Sequence, residues 1–282
     1  MSPLSGTVTA FIGCGVMGEA MLAGMLNNAL VQPAQIIASH PRAARRAELV
    51  RRYGIRAEES NVAAARAATI VALTIKPQVM PHVLRELRGE LRPEQVVLSI
   101  SAGTSISTIA TGLLHSAIAR AMPNTPAQIG QGLTVWTATP QVDERQRAMI
   151  RAILAALGTE VCVDDERQIA MATALSGTGP AYAFLVMEAL IDAGVHLGFS
   201  RQMAHDLVVQ TMVGSALFAQ QTGKHPAELR NMVTSPGGTT AAALYEMEKG
   251  SLRTVLSKAV YAAYRRTLEL SSDAGPEQNA AR

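Results

Sequence analysis

Short apolar runs alternate with amphipathic helical patterns along the first half of the chain. Helical patterns begin near Met17, Arg42, Asn61, Val79 and Ser105, and another covers residues 143–157. The apolar runs, which predict strands, are residues 7–13, 35–39, 70–76, 96–101, 118–122, 133–138 and 159–163. This alternation is typical of βαβ units and predicts a mainly parallel, doubly wound sheet of the α/β class.

The pattern changes near Arg167, and from there the chain is almost wholly helical. Helical periodicity is clearest over residues 181–197, 201–221 and 251–270. The first of these helices is apolar nearly all round, so it should be buried, yet a small helical domain has little interior. We therefore predict a homodimer with an extended helical interface, and further assembly into a higher oligomer stays open.

This pattern divides the chain into three parts. Residues 1–165 are predicted to form an N-terminal dinucleotide-binding domain, and residues 166–270 an all-helical dimerisation and substrate domain. Residues 271–282 are polar and contain Gly and Pro, so we expect a disordered tail.

A glycine-rich loop joins the first predicted strand to the first predicted helix. Gly13, Gly15 and Gly18 form GxGxxG between an apolar run and a helical pattern. The first glycine permits the tight turn, the second lets a pyrophosphate reach the backbone, and the third allows helix and strand to pack closely. In this context the motif favours a Rossmann-like dinucleotide site over a structural turn.

The second predicted strand bears on the choice of cofactor. An NAD site usually has Asp or Glu there, but this strand ends in Ser39 and is followed by His40 and Arg42. Because Arg binds phosphate through a planar fork of donors, Ser39 and Arg42 are candidates for the 2′-phosphate. We expect NADPH to be preferred, with NADH possible. Arg45 and Arg46 are interpreted as a solvated helix face.

Two further loops follow strands at the expected carboxyl edge of the sheet, where ligands of open α/β sheets bind. Lys76 and Pro77 follow one strand, and Ile100, Ser101 and Ala102 follow the next with mostly small side chains that leave room for a nicotinamide ring. The alternative for Lys76 is a side chain that only reaches solvent.

The helical half contains a break at residues 226–244. Its Ser-Pro-Gly-Gly-Thr-Thr sequence places Ser235, Gly238, Thr239 and Thr240 at a helix start, where free amides and hydroxyls can hold a small carboxylate. An ordinary helix-to-helix turn is the alternative. Ser176 lies in a similar loop before the most apolar helix.

Composition narrows the classes of protein. The chain has 282 residues, 48% of them hydrophobic, a net charge of +3 and 4% aromatics. The charge is spread along the chain, which argues against nucleic acid as a partner. We expect a soluble, cytoplasmic protein without a signal peptide or transmembrane helix. Two cysteines and six histidines without close spacing predict neither a disulfide framework nor a metal site.

Five motifs together resemble those of the pyrroline-5-carboxylate reductases. They are residues 11–18 (FIGCGVMG), 74–77 (TIKP), 122–126 (MPNTP), 175–182 (LSGTGPAY) and the 226–244 segment. The resemblance covers about residues 8–270. It implies a Rossmann domain, a helical dimerisation domain, and an active site where the nicotinamide meets helices of the partner subunit.

The resemblance also implies roles for individual residues. The pyrophosphate would be held by Ile12, Gly13, Cys14, Gly15, Val16 and Met17. Ser39 would lie at the 2′-phosphate, Asn61 at the adenine ribose, and the cofactor would be lined by Lys76, Pro77, Ile100, Ser101 and Ala102. Ser235, Gly238, Thr239 and Thr240 would hold the carboxylate and ring nitrogen of the substrate. Residues 40–42 depart from the family pattern.

The implied reaction is hydride transfer from NADPH to C5 of Δ1-pyrroline-5-carboxylate, giving L-proline, with Thr240 as the candidate group at the ring nitrogen. Two alternatives stay open at this point. One is a reductase of another cyclic imine or of a β-hydroxyacid, although a hydroxyacid enzyme would need a catalytic lysine in the helical half. The other is a dinucleotide-binding sensor without turnover.

Overall fold

The computed structural model describes residues 2–272, with side chains through residue 270. Most of the tail predicted over residues 271–282 lies outside the described residues. The described chain forms two compact units. One contains the residues up to Thr178 together with the chain from Ala263, and the other is Gly179–Ala262.

The first unit contains one eight-stranded sheet with the order β3-β2-β1-β4-β5-β6-β7-β8. Its strands are β1 (Thr9–Ile12), β2 (Ile36–Ser39), β3 (Arg56–Glu58), β4 (Ile70–Leu73), β5 (Val96–Ser99), β6 (Ile118–Met122), β7 (Gly132–Ala138) and β8 (Gly158–Cys162). All neighbours are parallel except β6 and β7. The predicted doubly wound sheet is thus present, and β3, a short edge strand, is the one that the apolar pattern missed.

Helices follow most strands and begin close to their predicted starts. The helices of the first half are α1 (Val16–Asn27), α2 (Ala43–Tyr53), α3 (Asn61–Arg66), α4 (Met80–Glu86), α5 (Ile106–Leu113), α6 (Glu144–Ala155) and α7 (Arg167–Ala172). Those of the second half are α8 (Gly179–His196), α9 (Arg201–Thr222), α10 (Pro226–Met232), α11 (Thr239–Lys249) and α12 (Leu252–Ser272). Between α7 and α8, residues 173–177 form a single π-helical turn.

Two apolar layers cover the two faces of the sheet. Phe11 and Trp136 belong to one layer with the inner faces of α1 and α6, while Ile12 and Leu73 belong to the other with α3, α4 and α5. Successive strand residues point to opposite faces, so strands covered on both sides are apolar at every position. This explains why the central strands appear as unbroken apolar runs in the sequence.

An ion pair between a buried arginine and a half-buried glutamate attaches the start of α7 to the sheet. The Arg120 side chain on β6 is only 5% exposed, and its Nη1 donates to Glu166 Oε1 at 2.6 Å. Glu166 Oε1 also accepts the Ile106 amide at the start of α5 at 2.8 Å. Because α7 also packs on β6 and β7, the first unit extends to Thr178, beyond the predicted domain boundary at residue 165.

The helical unit has almost no interior within one chain. Among the described residues 179–262, Ala204 alone is buried, where α9 meets Gly194 of α8. Many large apolar side chains are exposed instead, including Phe184, Leu185 and Leu190 of α8. In one chain the predicted burial of α8 is therefore not met, and a second copy of the chain would have to supply it.

One helical stretch also satisfies the length and composition of a membrane span. It covers residues 167–196, with a mean hydropathy of 1.3 in its most apolar window. Since it contains α7, the π turn and α8, its apolar character is explained equally well by burial against another protein chain.

The Arg120–Glu166 pair leads to a stability prediction. Glu166→Leu leaves a buried guanidinium without its counter-charge, and we expect it to lower the free energy of unfolding by about 3 kcal/mol. The double variant Arg120→Met/Glu166→Leu should recover most of this loss. Urea unfolding at one fixed protein concentration measures both, and a double variant no more stable than Glu166→Leu would contradict the explanation.

Candidate active site

The turn from β1 to α1 packs directly against the end of β4. Gly13 has φ +75°, and a Cβ placed there would lie 2.1 Å from Ile75 Cγ2. A Cβ on Gly18 would lie 2.7 Å from Thr74 Oγ1. Both glycines are therefore required by packing within the protein, as the motif predicts.

Gly15 differs, because the space beside it is open. The nearest protein atom to a Cβ at Gly15 is Gly13 O at 3.8 Å. Gly15 is also the N-cap of α1. Since a glycine has no side chain with which to cap the helix, it leaves the first amides of α1 uncovered. An open backbone at an uncapped helix start fits a pyrophosphate. Ile12 and Cys14 are buried, Met17 is half-buried and Val16 is exposed at this turn.

The cofactor-lining candidates lie at the carboxyl ends of neighbouring strands. The chain reverses its winding between β1 and β4, which is the position where doubly wound sheets bind ligands. Lys76 and Pro77 follow β4 and are exposed. Ile100 and Ala102 follow β5 and are half-buried, while Ser101 is buried, with its Oγ 3.4 Å from Thr104 Oγ1.

Ser39, the candidate at the 2′-phosphate, is fully buried at the end of β2. Its hydroxyl donates to Asn61 Oδ1 at 2.7 Å, and Asn61 Nδ2 donates in turn to Glu86 Oε2 at 2.8 Å. Its carbonyl accepts the amides of Gly13 and Cys14, each at 3.1 Å. Ser39 and Asn61 are thus brought together, but in this arrangement the Ser39 hydroxyl is engaged inside the protein and braces the glycine loop.

The arginines after β2 have different environments. Arg45 forms ion pairs with Glu19 and Glu48, and Arg46 pairs with Glu59 at 2.7 Å. The interpretation of Arg45 and Arg46 as a solvated face is wrong, since their side chains are mostly buried in these pairs. Glu19 lies on α1 and Glu59 directly after β3, so the sequence pattern of α2 contains only one of the partners, Glu48, three residues after Arg45.

The Arg42 guanidinium is the free one of the three. Among the described residues it makes no hydrogen bond or ion pair, and the side chain is exposed at the start of α2. The half-buried Glu19, by contrast, has its negative charge balanced by its arginine partners. Burial opposes its ionisation, but hydrogen bonds from Arg45 and Tyr53 outweigh this and lower the pKa of the carboxyl. Arg42 therefore remains available for a phosphate.

A second polar contact lies where β6 ends. Asn124 Nδ2 donates to Ser176 Oγ at 3.2 Å, and Asn124 Oδ1 accepts the Leu133 amide at 2.9 Å. Ser176 sits in the π turn, and a Cβ on the adjacent Gly177 would lie 3.0 Å from Met122 Cε. The turn thus carries the candidate Ser176 to the carboxyl end of the sheet.

The other substrate candidates lie in the helical unit, on the turn between α10 and α11. Gly237 has φ +68°, and the Gly238 amide donates to Ser235 O at 3.1 Å. Gly238 is the N-cap of α11 and has no side-chain cap. Thr240 is half-buried, while Ser235 and Thr239 are exposed. The loop has the free helix start that the sequence predicts for binding a carboxylate.

No metal-binding cluster is found in the part of the chain described, and the Cys14 thiol in the glycine loop is not reactive. Residues 2–272 contain no group of three or more His, Cys, Asp or Glu that could hold a metal ion. Burial raises the pKa of the Cys14 thiol to about 12, so Cys14 is a neutral packing residue of the glycine loop at physiological pH.

Comparison with known proteins shows the family. The protein-family model described as pyrroline-5-carboxylate reductase dimerisation matches residues 166–270. A second family model, described as NADP oxidoreductase, coenzyme F420-dependent, matches residues 8–103. A pyrroline-5-carboxylate reductase of Synechocystis is 43% identical over 260 residues, 92% of this chain and 96% of the relative. The chain belongs to the pyrroline-5-carboxylate reductase family.

Solved structures agree with this assignment. A pyrroline-5-carboxylate reductase from Coxiella burnetii has a TM-score of 0.87 and 36% identity, covering 94% of this chain and 98% of that one. Plasmodium falciparum pyrroline carboxylate reductase with NADP bound has a TM-score of 0.86 and 29% identity, with the same coverage.

These comparisons confirm the predicted family, the fold class and the assignment to the oxidoreductases. The dimerisation model accounts for the exposed apolar side chains of the helical unit and confirms the predicted homodimer. The model matching residues 8–103 agrees with the predicted cofactor, NADPH.

The contrast between the glycines gives a second prediction. Gly15→Ala should fold normally because no protein atom is close, yet its methyl would meet a bound pyrophosphate. Such overpacking costs about 1–3 kcal/mol, or about tenfold to hundredfold in NADPH affinity. Fluorescence titration with NADPH and thermal unfolding without it measure the two effects. Gly18→Ala is the matched variant and should lower stability itself; loss of stability in Gly15→Ala would contradict the assignment.

Proposed function

We propose that this chain reduces Δ1-pyrroline-5-carboxylate to L-proline with NADPH, the last step of proline biosynthesis. One observation carries the proposal: an open glycine loop at the sheet's switch point and an uncapped Gly238–Thr240 helix start occur in one chain of this reductase family. Bound NADPH would supply the hydride from C4 of its nicotinamide to C5 of the imine. The chain itself must bind the cofactor and the imine, orient them for hydride transfer, and hold a proton at the ring nitrogen.

The substrate carboxylate is assigned to the start of α11. The Thr239 amide and the Ser235 hydroxyl can donate to it, while the Gly238 amide, which donates to Ser235 O, holds the turn in shape. The positive end of the helix dipole also favours a negative charge there. Ser176 is assigned to the same substrate through its hydroxyl. Its contact with Asn124 supports an orienting role rather than one in proton transfer.

Thr240 is assigned to the ring nitrogen. A cyclic imine accepts hydride best as an iminium, so a proton must be at nitrogen before or during reduction. The half-buried Thr240 hydroxyl can accept a hydrogen bond from a protonated ring nitrogen or relay a proton from water. No strong acid is needed if the imine is protonated before it binds.

The cofactor is assigned to the glycine loop, residues 12–17, and to the edge residues Lys76, Pro77 and 100–102. Arg42 is assigned to the 2′-phosphate on the strength of its free guanidinium. Asn61 is assigned to the adenine-ribose side, and Ser39 to the support of both Asn61 and the loop. We further infer a soluble cytoplasmic dimer acting on a small molecule, without a nucleic-acid or membrane partner.

The direct test is NADPH oxidation, followed by absorbance, with Δ1-pyrroline-5-carboxylate and purified protein. We expect oxidation with stoichiometric formation of proline, and a lower catalytic efficiency with NADH. NADPH binding without oxidation would contradict the proposal and favour the sensor; oxidation with another cyclic imine alone would change the substrate.

Thr240 gives a prediction on the chemical step. Thr240→Ala should lower kcat by about 10²- to 10⁴-fold, the range for a positioned proton-transfer group. Thr240→Ser keeps a hydroxyl at the same place and should retain most of the activity. Steady-state kinetics with saturating NADPH measure both. Wild-type turnover by Thr240→Ala would remove Thr240 from the mechanism.

Arg42 gives a prediction on the choice of cofactor. Arg42→Ala removes a hydrogen bond to a charged group, worth about 1.5–3 kcal/mol, so the KM for NADPH should rise about tenfold or more. The KM for NADH should stay unchanged. Arg51→Ala, an equal loss of charge in the last turn of α2, is the control. Parallel shifts for both cofactors would contradict a role at the 2′-phosphate.

A further inference from the structure

His40 lies where a Rossmann domain reads the ribose of its cofactor. That position is the end of β2, and an acid there would accept the ribose hydroxyls. Ser39 occupies the last strand position but is fully buried with its hydroxyl engaged by Asn61. The first side chain beyond the strand that is partly exposed is therefore His40, which sequence reasoning did not single out.

Hydrogen bonds hold the backbone of His40 in place. Its amide donates to Glu58 O at 3.2 Å, and its carbonyl accepts from Arg46 Nη1 at 2.8 Å. Arg46 is itself paired with Glu59 at 2.7 Å. The loop after β2 is thus tied to both β3 and α2, so the imidazole extends from a fixed backbone.

The tautomer of His40 is set by its other neighbour. The Arg42 amide donates to His40 Nδ1 at 3.2 Å, so Nδ1 is the acceptor of the neutral ring and Nε2 carries the hydrogen. Burial, together with the charges of Arg42, Arg45 and Arg46, lowers the pKa of His40 and keeps the ring neutral near pH 7. The free nitrogen is accordingly an N–H donor.

From this geometry we infer that His40 is a specificity-determining residue: its Nε2–H donates to the 2′-phosphate of NADPH beside the free guanidinium of Arg42. The inference rests on the proposed use of NADPH. Arg45 and Arg46 contribute positive charge, but their guanidinium groups bind Glu19, Glu48 and Glu59. His40 and Arg42 are therefore the side-chain donors that remain for the phosphate after β2.

The test compares two nucleotides that differ only in the 2′-phosphate. Binding of 2′,5′-ADP and of ADP to the full-length protein is measured by calorimetry. His40→Asn keeps an oxygen acceptor near the Nδ1 position and loses the Nε2 donor. His40→Gln places an amide donor near the Nε2 position. His205→Asn, on the exposed face of α9, is the matched control.

We expect His40→Asn to weaken 2′,5′-ADP by about tenfold to hundredfold, the value of one hydrogen bond to a charged group. ADP binding should be unchanged, His40→Gln should restore most of the loss, and His205→Asn should match the wild type. Equal binding of 2′,5′-ADP by His40→Asn and wild type, or equal weakening of ADP, would overturn the inference.

The outcome is separable from the proposed reaction because no turnover is measured. Selective binding of 2′,5′-ADP that depends on His40, in a protein that does not reduce the imine, would contradict the proposed reaction and support the inference. Proline formation by a wild-type protein that binds both nucleotides equally would keep the reaction and overturn the inference.

Discussion

The helical unit has too little interior within one chain to bury its apolar side chains. This lack of interior determines how the chain must assemble. Only Ala204 is buried among residues 179–262, while Phe184, Leu185 and Leu190 are exposed on α8 alone. Burial of a large apolar side chain contributes about 1.5–3 kcal/mol. A helical unit with this surface is stable when a second copy covers it, as the dimerisation domain of the family does.

The first unit buries its apolar side chains within one chain, and the way in which it does so determines where ligands can bind. Helices cover both faces of a parallel sheet, so the free backbone is left at the strand ends. Gly13 and Gly18 close the β1–α1 turn onto Ile75 and Thr74, whereas Gly15 leaves an open approach to the helix start. The same motif therefore contains two glycines that serve packing and one that serves a ligand.

Side chains of one type acquire different roles through partners distant in the sequence. Arg45 and Arg46 are neutralised by acids of α1, α2 and the segment after β3, while Arg42, three residues before Arg45, remains free. Ser39 and Asn61, both assigned to the cofactor, bond to each other first. Because such pairing depends on which strands and helices are neighbours, residue type and local spacing could not separate the free groups from the engaged ones.

The sequence by itself determined the order of the main elements, the glycine loop, the change from an α/β half to a helical half, and the family. Each of these follows from local periodicity or from contiguous motifs. Even the need for a partner followed from the all-round apolar character of α8. Tertiary structure alone decided that β3 completes the sheet edge and that the Arg120–Glu166 pair joins α7 to the first unit. It also decided that Ser39 is buried at the end of β2 while the next residue, His40, is partly exposed. These outcomes depend on contacts between segments tens of residues apart, whose energies no local pattern records.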